Sequence, residues 1–174
     1  MATRTNGKSA ADATKRTFKT SIDVPPDARE QICEILNLQL ADTTDLFTQL
    51  KHAHWNVKGQ EFYQLHKLYD ELAACTLEWS DEIAERIAIL GGYAKGTLRM
   101  AADATRLPEF PPDCVQDIDT VRELVASYAN YCAATREAIN TADELGDPTT
   151  ADLLTEVSVD ADKNLWFLEA HLQP

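Results

Sequence analysis

The chain has 174 residues, 44% of them hydrophobic and 26% charged, enough for one domain with a real core and too apolar to stay unfolded. Its net charge of −13 repels nucleic acid and attracts cations, and no apolar run approaches the roughly 18 residues of a membrane-spanning helix. The four cysteines, Cys33, Cys75, Cys114 and Cys132, are scattered with no CxxC pair, which reads as small buried thiols rather than a zinc site.

Residues 1–22 read as a mobile basic tail, because Thr, Ala, Lys and Ser dominate and Phe18 is almost the sole large apolar residue. Residues 1–23 hold Arg4, Lys8, Lys15, Arg16 and Lys19 against Asp12 and Asp23, net +3, which leaves 11 basic and 27 acidic residues, net −16, on the body. No apolar segment follows the basic residues, so the segment lacks the pattern of a secretory signal and the expected location is the cytoplasm. The folded domain is expected over residues 23–174. Pro25-Pro26 opens it, and Asp27 with Glu30 has the spacing of a capping box.

From there the hydrophobic period is helical. Ile32, Leu36, Leu40, Thr43, Phe47, Leu50 and His54 form one stripe, ended near Gly59. Phe62, Leu65, Tyr69, Leu72, Thr76, Trp79, Ile83, Ile87 and Leu90 form the second, stopped by Gly91-Gly92. Residues 93–116 are irregular, with Pro108, Pro111 and Pro112 and a short helix near Leu98 to Ala104. The third stripe runs through Ile118, Val121, Val125, Tyr128, Cys132, Thr135, Ile139 and Ala142 to Gly146. Asp147-Pro148 caps a fourth helix carrying Leu154, Val157, Ala161, Leu165, Leu168 and Leu172. The prediction is an all-α fold: a ferritin-like four-helix bundle with a long crossover between its second and third helices.

The chemistry concentrates between His52 and Glu85. His54 and His66 flank Gly59, and Asp81 and Glu85 stand one turn apart on the second helix. Imidazole and carboxylate together suit iron and similar metals. At about 100° per residue, the apolar stripe centres near Tyr69, Thr76 and Ile83. His66 and Asp70 lie at its edge, and Asp81 and Glu85 on the far side. His66 and Asp81 are 15 residues apart, about 22 Å along a helix, whereas metal–ligand bonds are about 2 Å. The two groups are therefore unrelated, or they meet across two subunits related by a two-fold axis. No Glu-x-x-His occurs in the chain, which argues against the usual di-iron site inside a bundle and against a di-iron oxygenase. A bundle whose motif residues only pack is the plainest alternative.

The string His54-Trp55-Asn56-Val57-Lys58-Gly59, followed by His66, Asp70-Glu71, Asp81-x-x-x-Glu85-Arg86 and Leu90-Gly91-Gly92, resembles the signature of the Dps family (DNA-binding proteins from starved cells, or mini-ferritins). Asp162-Lys163 and Leu165-Trp166-Phe167-Leu168 resemble that family's last helix, so the resemblance spans about residues 28–172. It implies a hollow dodecamer that oxidises ferrous iron, preferably with hydrogen peroxide, and stores the ferric mineral. His54, His66 and Asp70 of one subunit would share a two-iron ferroxidase centre with Asp81 and Glu85 of its mate, where zinc or other divalent metals can substitute. Trp55 would quench one-electron oxidants. Glu71 matches an inward acidic position for mineral nucleation. Asp143, Asp147 and Asp152 lie where the family has acidic pores, although an acidic loop at that junction is more often a helix cap. His52 and His171 match nothing and read as packing residues. The alternative function is nucleoid DNA binding through the basic tail.

Overall fold

The computed structural model describes residues 16–174; the tail expected over residues 1–22 falls largely outside the described residues. Five helices follow in order: α1 (Pro26–Asn56), α2 (Phe62–Ile89), α3 (Leu98–Ala104), α4 (Asp117–Glu144) and α5 (Pro148–Ala170). The short α1–α2 and α4–α5 turns make two antiparallel hairpins, which pack mainly through α1 against α4. The crossover, residues 90–116, lays α3 along α1. This is the all-α four-helix bundle that the stripes predict, with no strand among the described residues.

The stripes become the core, except that Phe62 and Leu172 are exposed and Leu172 lies beyond the end of α5. Leu36, Leu50, Leu65, Tyr69, Ile83, Ile87, Tyr128 and Leu168 are fully buried, and each aliphatic one stabilises the fold by roughly 1.5–3 kcal/mol. Thr43, Thr76 and Thr135 interrupt these stripes at no great cost. Each hydroxyl donates to the carbonyl four residues back in its own helix, at 2.7, 2.9 and 2.8 Å, so none of these three hydroxyls is left unpaired. The phenols of Tyr69 and Tyr131 pair with Thr120 and Thr43, both at 2.9 Å.

One cap differs from expectation. Pro25 is the N-cap of α1, so Asp27 and Glu30 lie inside the first turns and form no capping box. Pro26, with its helical φ and no N–H, suits the first helical position and starts the helix two residues too early for Asp27 to cap it. Asp147 does cap α5, Oδ1 accepting from Thr150 N–H at 3.1 Å.

The crossover is tied down by polar clasps. The buried Asp42 carboxylate accepts from Arg106 Nε and Nη2 at 2.9 and 2.7 Å and from Arg106 N–H at 2.7 Å. Asn37 spans Tyr93 O and Lys95 N–H at 3.2 and 2.8 Å. Phe18 N–H donates to Gly91 O at 2.7 Å, so part of the segment assigned to the tail lies against the body. Gly91, at φ +81°, has no Cβ to obstruct that approach.

Candidate metal centre

α1 ends and α2 begins on either side of a five-residue turn, which brings His54 and His66 face to face. Their ring centroids are 3.8 Å apart and the planes 17° from parallel. His54 Nδ1 meets His66 O at 2.7 Å, and His66 Nδ1 meets His54 O at 2.8 Å. A carbonyl oxygen can only accept, so each Nδ1 carries the proton. In the neutral rings, both Nε2 atoms then keep a lone pair for a metal. Backbone carbonyls commonly fix metal-binding imidazoles in this way.

The hairpin continues the ladder one turn further. Lys51, one turn before His54, places Nζ 2.5 Å from Asp70 Oδ1, one turn after His66. The same ammonium lies 6.0 Å from the ring centroid of Trp55, which is 66% exposed. The Lys51 hydrogen bond holds the Asp70 carboxyl below its usual range. Asp70 is thus an anion already matched to a cation. Lys51 is a functional neighbour that the sequence reading missed; its place three residues before His54, on the same helix face, was the available signal.

Asp81 and Glu85 are exposed on the outer side of α2, far along the helix from the histidines. Among the described residues, no three His, Cys, Asp or Glu side chains of one chain are grouped to hold a metal. Glu71, Asp143 and Asp152 are also exposed. Asp147, for which a pore and a helix cap are the two readings, is 1% exposed. Its two oxygens each accept from Arg86 Nη2 at 2.8 Å, and Thr150 Oγ1 donates to Oδ2 at 2.5 Å. The cap reading prevails for that residue, because its carboxylate is spent inside the fold. His52 packs edge-on to Phe110, centroids 5.4 Å apart, and His171 Nδ1 donates to Phe167 O at 2.8 Å. Both remain outside the centre.

Known proteins share this architecture. The ferritin-like domain family matches residues 33–174. The chain is 42% identical over 158 residues to the DNA protection during starvation protein of Agrobacterium fabrum, covering 91% of this chain and 98% of that one. It is 33% identical over 177 residues to the protein of that name from Halobacterium salinarum, covering 99% and 94%. Among solved structures, DpsC from Streptomyces coelicolor aligns with a TM-score of 0.86 at 35% identity, covering 91% and 93%. The archaeal Dps homologue from Halobacterium salinarum gives 0.86 at 30%, covering 91% and 88%. With its bundle, its crossover and its paired histidines accounted for, the chain belongs to the ferritin-like superfamily and, within it, to the Dps family.

Proposed function

We propose that this chain is an iron-storing mini-ferritin whose ferroxidase centres form between subunits. His54, His66 and Asp70 of one subunit receive ferrous iron together with Asp81 and Glu85 of its two-fold mate, two irons per centre. The observation that carries this reading is the reciprocal histidine pair, which leaves two Nε2 lone pairs presented together on a half-site. Two imidazoles with three carboxylates form a donor set suited to ferrous iron. Trp55, Phe62 and Tyr63, next to the histidine pair in sequence, are 66%, 40% and 68% exposed, which favours a partner covering them, since exposed apolar side chains near one another mark interaction surfaces.

Iron is the substrate of this reaction. Two ferrous ions each give one electron, and one hydrogen peroxide accepts both. Its O–O bond breaks and, with two protons, it leaves as two waters. No single electron is left on peroxide, so hydroxyl radical is avoided. The ferric product accumulates in the cavity of a dodecameric shell, with Glu71 as a nucleating carboxylate and Asp143 and Asp152 on the entry path. This activity protects DNA indirectly, in keeping with the name carried by the Agrobacterium relative.

The test is anaerobic ferrous loading, then limiting peroxide, in the parent beside an Asp81→Ala/Glu85→Ala variant. The reading expects fast oxidation near two irons per peroxide in the parent and its loss in the variant. Equal, slow oxidation in both contradicts it.

A further inference from the structure

The turn joining α1 to α2 is held by the junction of the crossover with α4. Lys58 N–H donates to Val115 O at 2.7 Å, and Lys58 O accepts from Asp117 N–H at 2.8 Å. This is a single parallel bridge in a helical chain. The Asp117 carboxylate completes the clasp. Oδ2 accepts from the N–H of Glu61, the N-cap of α2, at 3.1 Å, and Oδ1 from Ile118 N–H at 2.9 Å. Gly59, at φ +141°, permits the approach, because a Cβ there would collide with Asp117 Oδ2.

The consequence reaches the histidines. In a continuing helix, Lys58 N–H would bond the carbonyl four residues back, which is His54 O. Drawn instead to Val115, it leaves that carbonyl open, and His66 Nδ1–H takes it at 2.8 Å. The last carbonyls of a helix need such outside donors. The backbone N–H of Glu61, then that of Ile118, holds the Asp117 carboxyl below the usual range, so it is a fixed anionic acceptor at the start of α2.

We infer that residues 115–117 set the His54–His66 pair, with Asp117 a positioning residue that tunes metal affinity without touching metal. This rests on the proposed ferroxidase reading. It makes the junction of the crossover with α4, which carries none of the proposed ligands, part of the centre's geometry.

The test is anaerobic Co²⁺ titration of the assembled protein, followed by the metal's visible absorption. Parent, Asp117→Ala, Asp117→Asn, Gly59→Ala, His54→Ala and the nearby control Asp119→Ala are compared. Asp117→Ala is expected to weaken Co²⁺ about ten-fold, the lower end of what losing an orienting partner costs. Asp117→Asn keeps an acceptor oxygen and recovers most of that loss, and Asp119→Ala behaves as the parent. Gly59→Ala displaces the carboxylate while leaving it in the chain, so it must weaken Co²⁺ too, and it decides the matter should Asp117→Ala fail to assemble. A purely structural role would lower the melting midpoint in these variants but leave Co²⁺ affinity and spectrum unchanged. That result, with binding lost in His54→Ala, overturns this inference alone. Co²⁺ binding that survives His54→Ala overturns the metal-centre reading and this inference with it.

Discussion

Arg86 and Asp147 form a two-pronged ion pair in the interior. Nη2 meets both carboxylate oxygens at 2.8 Å, while Nε donates to Thr150 Oγ1 at 2.8 Å. The pair joins the last turn of α2 to the cap of α5, and so connects the two hairpins at one end of the bundle. Asp81 and Glu85 lie on the stretch of α2 that it secures.

Removing either partner leaves a buried charge alone, which costs about 3–5 kcal/mol. Arg86→Ala is therefore expected to lower the urea midpoint strongly. Burial alone would push the Asp147 carboxyl up, but Thr150 and Arg86 hold it below its ordinary value. A folded value below the unfolded one gives stability that is complete above the unfolded pKa of about 3.9 and drains as pH falls through the folded value. Urea midpoints taken from pH 7 down to pH 3 should show a late acid loss in the parent that Asp147→Asn lacks. Coincident pH profiles would contradict the assignment.

Lys51 stands where a metal would take its share of Asp70. On the proposed reading the ammonium competes with metal for Asp70, so Lys51→Met should bind Co²⁺ more tightly by a factor of a few, the scale of an exposed ion pair. Weaker binding in Lys51→Met would instead make the lysine a support for Asp70.

The thiols are expected to be quiet. Burial, then the Asp162 carboxylate, pushes Cys132 up to about 12, and burial raises Cys33, Cys75 and Cys114 as well. A disulfide reagent at pH 8 should modify at most Cys75 and Cys114, slowly, with Cys33 and Cys132 reacting only after denaturation. Four fast thiols in the native protein would contradict this.

The DNA-binding alternative places the contact on the tail, since the body carries net −16 against +3 for residues 1–23. Deleting residues 2–20 should abolish any gel shift seen at low salt, and the parent's shift should fade steeply as salt rises. An equal shift by both proteins would move the contact to the body.

The stripes of α1, α2, α4 and α5 were legible because burial on a helix repeats with the helical period; Ile32 to Leu50 and Leu65 to Ile87 show it directly. The two histidines were legible as candidates, being placed on either side of a glycine. Their mutual hydrogen bonds were not, because a 12-residue separation becomes a contact only once the turn has a shape. That shape depends on Val115 and Asp117, more than 50 residues downstream. Asp27 misled for a local reason, since Pro26 fixes where α1 begins. The burial of Asp147 depends on Arg86, 61 residues away, which no local pattern reveals.

The central claim is that one centre takes ligands from two chains, and subunit complementation tests it most directly. Chains carrying His54→Ala/His66→Ala would be co-assembled with chains carrying Asp81→Ala/Glu85→Ala, each inactive alone, and ferrous oxidation by peroxide measured. About half the randomly paired dimers are mixed, and each mixed dimer regains one intact centre of its two, so about a quarter of the parent's rate should return. Co-assembled shells as inactive as either variant alone would contradict the shared centre.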